Sequence, residues 1–457
     1  MNTQALEQAL GFIRSWLAIR FEIDEIPGFA VAIAHDGNLV LNDVYGFADV
    51  ERQAALTTDH LFRIASHSKT FTATALMLLA EEGRLRLDDT AADHLPWLRA
   101  HKDPRWHAVT LRQLMSHGAG VIRDGEDATY WQLERPFPDA ASFQSELLTT
   151  DLVTDANVKL KYSNYGYTLL GLVIEAVAAR PYNAFVAERI VGPLGLLRTA
   201  PEYDPALGDS LVTGYGQRIH HRRRPLPPVS TQAMSAATGF CANAADLCAY
   251  FSAHMVGSGR LLSDASKREM QRVHWHAKLP GESAHEDYGL GMVRYQIGKR
   301  SVFGHSGGFP GCITQSMADP EERLVVVALT NCVDGPASSI VTGIYKILAY
   351  FQENAPDAGA GPDLSRLGGT YASLWGMRSI VATGAKVVAV RPDAWEPFAA
   401  VETLSPVDDT ALRVTDTSSF ASEGELVRFD LTDGRVASVN YTGMRMWPLD
   451  LWWARNR

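Results

Sequence analysis

The sequence predicts an α+β domain, an antiparallel sheet with a helical region packed on it, followed by a small all-β domain. Three observations carry this expectation. Strand-like alternation appears at both ends of residues 1–353 and flanks a helical middle, as when one sheet is assembled from both ends of a domain. The stretch NAPDAGAGPDLSRLGGT at 354–370 is rich in Gly, Ala, Pro and Asp and reads as a linker. Beyond it, at 371–457, only short β patterns separated by turns remain.

The elements follow in order. Leu6, Leu10, Ile13 and Leu17 fall at helical spacing and predict an amphipathic first helix. FAVAIAHDGNLVLNDVYG alternates about Asp36-Gly37, a hairpin signal. An apolar run at 66–82, stopped by Gly83, has little polar face and predicts a centrally buried helix. Residues 85–285 mix helices with Pro/Gly-rich loops. Strands return at 301–304, 312–318 and 323–331, the last two joined by a turn at Asp319-Pro320. A helix at 338–352 places Ile340, Ile344, Ile347, Leu348 and Phe351 on one face. In the last segment SIVATGAKVVAV, ALRVTD and ELVRFDLTDGRVASVNYTG predict a barrel or sandwich without helices.

Composition narrows the function classes. The chain has 457 residues, 46% hydrophobic and 21% charged, ample for a large core. Its net charge of −10 disfavours phosphate backbones and anionic lipid, so neither nucleic acid nor membrane is an expected partner. The basic run His220 to Arg224 reads as a solvated loop. Cys241, Cys248, Cys312 and Cys332 form no CxxC pair and have no histidine at zinc-ligand spacing, so buried free thiols are expected, with no metal and no cofactor. His274 and His276 lack a nearby acidic partner in sequence. Glu7, Arg14, Arg20 and Glu22 interrupt the N-terminal apolar residues, which do not read as a signal peptide, and no apolar run is long enough to span a bilayer. The expectation is a cytoplasmic protein acting on a small-molecule or peptide substrate.

Three short motifs carry chemistry. Ser66-His67-Ser68-Lys69 opens the buried helix, and a spacing of three places Ser66 and Lys69 on one helix face. A serine hydroxyl needs a base to become a nucleophile. A lysine in an apolar core loses solvation, and its lowered pKa can make it such a base; the alternative is a helix-capping Ser66 with Lys69 reaching the surface. Tyr162-Ser163-Asn164 precedes the helical run YGYTLLGLVIEAVAA. A tyrosine beside an ammonium group can act as a general base, and Asn164 can bridge Lys69 and a substrate amide or cap the helix. His305-Ser306-Gly307-Gly308 follows a predicted strand; the histidine titrates near neutral pH, and the glycines let a substrate backbone come close. Gly304 to Gly308 also fits the G-x-S-x-G nucleophile elbow, but no histidine follows His305, and Phe309-Pro310-Gly311 cannot start the elbow's helix.

Together FRIASHSKTFTATALMLLAEEGRLRLDD, LRQLMSHGAG, KYSNYGYTLLG, YGLGM, GHSGG and VVVALTN resemble the serine β-lactamase and penicillin-binding-protein-like hydrolases. The resemblance covers about residues 25 to 350 and is greatest to members related to class C β-lactamases, including D-aminopeptidases, DD-carboxypeptidases and esterases. It implies a β-lactamase/transpeptidase-like domain and an acyl-enzyme on Ser66. Lys69 would assist, Tyr162 would serve as base and then acid, and Asn164 would orient Lys69 and the substrate. Backbone N–H groups of Ser66 and Gly308 would form the oxyanion hole, with His305 and Gly307 beside the substrate. LMSHGAG, with His117, maps to a structural loop without a catalytic role, and His67 is expected on a different helix face from the nucleophile. The C-terminal segment is similar to the lipocalin-like domains appended to some peptidases of this family, which implies packing beside the site or self-association as a homo-oligomer.

The sequence also departs from the family. Class C β-lactamases carry Lys-Thr-Gly where this chain has His305-Ser306-Gly307, which argues against efficient β-lactam hydrolysis. Carboxypeptidases with a histidine there follow the glycine with a threonine that helps hold a carboxylate; Gly308 stands in its place. The expected activity is cleavage of amide bonds in small peptides or amino-acid amides, D-residues among them. The alternatives are a short-chain carboxylesterase with weak β-lactamase activity and a silent penicillin-binding homologue.

Overall fold

The computed structural model describes residues 2–278, 285–355, 366–384, 386–417 and 422–456. The chain divides into two compact units, Ile26–Val341 and Met1–Glu25 with Thr342–Arg457. The first helix, α1 (Thr3–Asp24), therefore groups with the C-terminal unit and not with the first domain as the sequence reading has it. Its buried face explains this. Trp16 Nε1 donates to Ala394 O at 3.0 Å, and Arg20 Nη2 donates to Asp393 O at 2.8 Å, both on the chain beyond the expected linker. Most of that linker, 356–365, lies outside the described residues.

The unit Ile26–Val341 is built on an antiparallel sheet, nine-stranded among the described residues. Its strands are β1 (Gly28–His35), β2 (Asn38–Asp49), β3 (Ala54–Ala55), β4 (Trp275–Lys278), β5 (His285–Tyr288), β6 (Val293–Ile297), β7 (Arg300–Phe309), β8 (Cys312–Asp319) and β9 (Leu324–Thr330), in spatial order β3-β2-β1-β9-β8-β7-β6-β5-β4. The two ends of the unit meet at β1 and β9, registered from Phe29↔Thr330 to His35↔Leu324. Those two strands are buried almost throughout, so they read as unbroken apolar runs and not as alternating ones. The hairpin turn between β1 and β2 holds Asp36 at φ 50° and Gly37 at φ 77°, the left-handed pair that Asp-Gly tolerates. The predicted strand at 301–304 is longer than expected: β7 runs on through His305-Ser306-Gly307-Gly308, so that motif is strand and not a turn after one. Strand β4 falls in the region read as mixed helix and loop, and β5 and β6 follow it in a stretch for which no element is expected.

Helices α2 (Ser68–Glu81), α3 (Asn164–Ala178) and α4 (Ala244–Ala253) lie in the same unit. Every residue of α2 from Ser68 to Leu79 is buried, as expected for a helix apolar on nearly every side. The helix α5 (Ala337–Glu353) carries the expected face, with Ile340, Ile344, Ile347, Leu348 and Phe351 all buried.

The C-terminal segment forms a closed eight-stranded barrel. Its strands are β10 (Gly369–Ser373), β11 (Gly376–Thr383), β12 (Lys386–Val390), β13 (Glu402–Asp408), β14 (Ala411–Thr417), β15 (Leu426–Thr432), β16 (Arg435–Tyr441) and β17 (Met444–Pro448). Each strand pairs with the next, and Tyr371↔Pro448 and Ala372↔Trp447 close the ring. Closure leaves no strand edge open. Alternate residues fill the interior, among them Leu404, Leu412, Val414, Val427, Phe429 and Val439. A short helix, α6 (Leu449–Asn456), follows β17, where the sequence reading expects none. At eight residues it is too short to leave a periodic signal. Among the described residues no single helix is long and apolar enough to cross a membrane.

Candidate active site

Ser66 sits on a 3₁₀ turn, Ala65–His67, that leads directly into α2. The buried Ala65 before it is held at φ 49°, a left-handed conformation that costs a residue with a Cβ. Ser68 secures the turn: its Oγ donates to Ala65 O at 2.6 Å and accepts from the Phe240 N–H at 3.1 Å. Ser66 is partly exposed, whereas the residues on either side of it are buried.

Lys69 is 0% exposed. Its Nζ donates to Ser66 Oγ at 3.1 Å and to Ala237 O at 2.8 Å. Burial pushes the amine down to about 7, with Asp124 opposing the shift and Arg123 adding to it. Tyr162 Oη donates to the same Ser66 Oγ at 2.8 Å, and Lys69 Nζ lies 4.8 Å from the centre of the Tyr162 ring. The serine oxygen thus faces two groups able to take its proton.

Tyr162 is placed by His117. The Lys161 N–H donates to His117 O at 2.8 Å, and the Ser163 N–H donates to His117 Nδ1 at 3.1 Å. The two rings lie 4.2 Å apart. His117, given no role from sequence, brackets the tyrosine from both sides of the chain. Ser163, not Asn164, caps α3: its Oγ accepts from the Gly166 N–H at 2.8 Å.

Asn164 differs from its expected arrangement. Its Nδ2 donates to Asp124 Oδ1 at 2.6 Å, and its buried Oδ1 has no hydrogen-bond partner. The hydrogen bonds of Lys69 go to Ser66 and Ala237 instead of Asn164. Asp124 also accepts from Trp131 Nε1 at 3.0 Å and lies 3.1 Å from Arg123 Nε. Nothing in GVIRDG marks this aspartate in the sequence; its proximity arises only on folding.

The third motif lies along β7. His305 is buried, and its Nδ1 donates to Ser306 O at 2.6 Å. Burial, followed by the positive fields of His67 and Lys69, pushes His305 down to about 3, so the imidazole is uncharged at neutral pH. Gly307 is required where it stands: a Cβ there would lie 2.2 Å from Ile64 O and 2.4 Å from Thr314 Oγ1. The absence of that Cβ lets β7 lie against the residues just before Ser66. Gly308 is exposed, with only Ile313 Cδ1 near its Cβ position, at 3.5 Å. His67 points away from the nucleophile, onto Ser316 Oγ at 2.9 Å and Ile64 O at 3.0 Å. The four cysteines are free and buried, and no group of three or more His, Cys, Asp or Glu side chains could hold a metal ion among the described residues.

A serine on a strained turn at the head of a buried helix, with a lysine and a tyrosine on its oxygen, defines a class of serine hydrolase. The beta-lactamase family profile matches residues 18–350, and the chain belongs to this family of serine hydrolases. "Protein flp" of Staphylococcus aureus (strain MW2) is 30% identical over 176 residues, 38% of this chain and 34% of that protein. The match thus spans about a third of the length of the curated relatives that head the comparison. "Penicillin-binding protein 4" of Amycolatopsis lactamdurans is 27% identical over 382 residues, covering 78% of this chain and 95% of that protein. Among solved structures, the octameric penicillin-binding protein homologue from Pyrococcus abyssi has a TM-score of 0.65 at 22% identity, covering 96% of this chain and 99% of its own. D-amino acid amidase from Ochrobactrum anthropi SV3 has a TM-score of 0.61 at 24% identity, covering 75% and 99%. At these identities the structural likenesses show the fold.

Proposed function

We propose that the protein hydrolyses amide bonds of small peptides or amino-acid amides, D-residues among them, through an acyl-enzyme on Ser66. The observation that carries this is the Ser66 oxygen held at 3.1 Å from a buried lysine amine and 2.8 Å from a tyrosine hydroxyl. Ser66 Oγ attacks the substrate carbonyl while its proton passes to the Lys69–Tyr162 pair. The negative charge on the carbonyl oxygen is taken by the backbone N–H groups of Ser66 and Gly308. The pair returns the proton to the leaving amine as the C–N bond breaks. Water then adds to the ester under the same base, and Ser66 leaves with its proton restored. Asn164, anchored by Asp124, and the strand His305 to Gly308 border the substrate.

The amide reading is supported by the likeness to D-amino acid amidase and by the uncharged His305 where class C β-lactamases carry a lysine. A panel of D- and L-alanine p-nitroanilide, p-nitrophenyl acetate and a chromogenic cephalosporin, run on wild type and Ser66→Ala, tests it. Turnover of the D-anilide that Ser66→Ala abolishes supports the proposal. Turnover of the acetate alone replaces it with a carboxylesterase, and full activity in Ser66→Ala overturns the nucleophile assignment. We also propose self-association, on the likeness to an octameric homologue; light scattering giving a monomer mass at micromolar concentration would contradict it.

A further inference from the structure

Two of the buried histidines near the site are joined by one tyrosine. His117 Nε2 lies 3.1 Å from Tyr288 Oη, and Tyr288 Oη lies 3.2 Å from His305 Nε2. The backbone fixes both ends of this chain. The Ser163 N–H can only donate, so His117 Nδ1 is bare and its proton sits on Nε2. The carbonyl of Ser306 can only accept, so His305 Nδ1 carries a proton, and in the uncharged ring Nε2 is the bare nitrogen. Tyr288 Oη then accepts from His117, and its one proton can go to the bare His305 Nε2 at 3.2 Å or to its other partner, the Tyr167 hydroxyl.

We propose that Tyr288 is a positioning residue that ties the segment carrying Tyr162 to the strand carrying His305, Gly307 and Gly308, and holds His305 in its uncharged form. His117, Tyr288 and His305 are all buried. The groups acting on the chain are His67 and Lys69 on His305, Lys69 and Lys161 on His117, and Tyr162, Tyr167 and Tyr295 on Tyr288. None of these is a carboxylate, so an imidazolium here would be a buried charge without a counter-ion. A proton placed on His305 Nε2 would also displace that of Tyr288, whose oxygen already accepts from His117. If β7 borders the substrate, as the hydrolase reading has it, a substrate carboxylate finds no cation at His305, and uncharged amides are favoured there.

Nitrogen-15 spectra of the histidine side chains test this without reference to activity, with signals assigned through His117→Gln and His305→Gln. The expected result at neutral pH is a neutral His117 protonated on Nε2 and a neutral His305 protonated on Nδ1. In Tyr288→Phe the titration midpoint of His305 is expected to rise by about one pH unit, a tenfold change in proton affinity. In the same variant kcat is expected to fall by about ten- to a hundredfold as the two segments lose register. An imidazolium or an Nε2–H tautomer at His305, or an unmoved midpoint in Tyr288→Phe, would overturn the inference. If that variant does not fold, the wild-type spectrum still decides. Full activity in Ser66→Ala would remove the hydrolase reading and leave the tautomers standing; an imidazolium at His305 would do the reverse.

Discussion

Lys69 in the catalytic unit and Glu402 in the barrel are both ionisable groups withdrawn from water, and they are treated in opposite ways. Glu402, 14% exposed, accepts from Ser422 Oγ at 2.7 Å, from Thr417 Oγ1 at 3.3 Å and from the Tyr441 hydroxyl, with Arg378 Nε 4.0 Å away. Donors close around its carboxyl oxygens. Lys69 is fully buried, and its hydrogen bonds reach only a hydroxyl and a carbonyl, so its charge is poorly compensated and its proton is weakly held. Withdrawal from water leaves a structural anchor where donors close around the group, and a weakly held proton, as a base requires, where they do not.

The largest expected effects sharpen that contrast. Lys69→Met and Tyr162→Phe are each expected to lower kcat/KM by about 10²–10⁴-fold in steady-state assays. Lys69→Met is also expected to raise stability by about 1–4 kcal/mol in denaturant titrations at neutral pH, because it removes a desolvated amine. If it lowers stability instead, Lys69 is an anchor like Glu402. Next is pH. Lys69 must be neutral to act as base, so kcat/KM is expected to fall about tenfold per unit below a midpoint near 7. The sign for stability follows from the same shift. The native amine holds fewer protons than the unfolded one between about 7 and 10.5, so stability rises with pH through that window.

Packing changes come after. Gly307→Ala drives a methyl into Ile64 O and is expected to cost about 1–3 kcal/mol as well as activity. Leu412→Ala in the barrel core is expected to cost about 2–5 kcal/mol in thermal or denaturant unfolding, with kcat of the folded enzyme little changed. Trp375→Ser, at a site 84% exposed, is expected to move stability by less than about 0.5 kcal/mol. A loss of kcat from Leu412→Ala would break the comparison, for it would give the barrel a share in the chemistry.

What could be read from sequence was what lies close together along the chain. Ser66 and Lys69 are one helical turn apart, the Asp36-Gly37 hairpin is local, and the apolar run of α2 marks its burial directly. Alternation and turns marked the C-terminal segment as all-β but left barrel and sandwich open. What could not be read depends on distant pairing. Asp124 meets Asn164 across 40 residues, and Tyr288 meets His117 across 171, with no periodic signal at either end. Glycine pairs in GHSGG look like a turn until β8 supplies a partner from Phe309↔Cys312 back to Phe303↔Ala318. The segment α1 was legible as a helix but not as part of the C-terminal unit, because its partners lie at Asp393 and Ala394.

The most direct test of the central claim is to treat the protein with a serine-reactive fluorophosphonate and map the adduct by peptide mass spectrometry. A single adduct on Ser66 is expected, formed far more slowly in Lys69→Met. An unlabelled Ser66, or an adduct on Ser306 within Gly304 to Gly308, would contradict it.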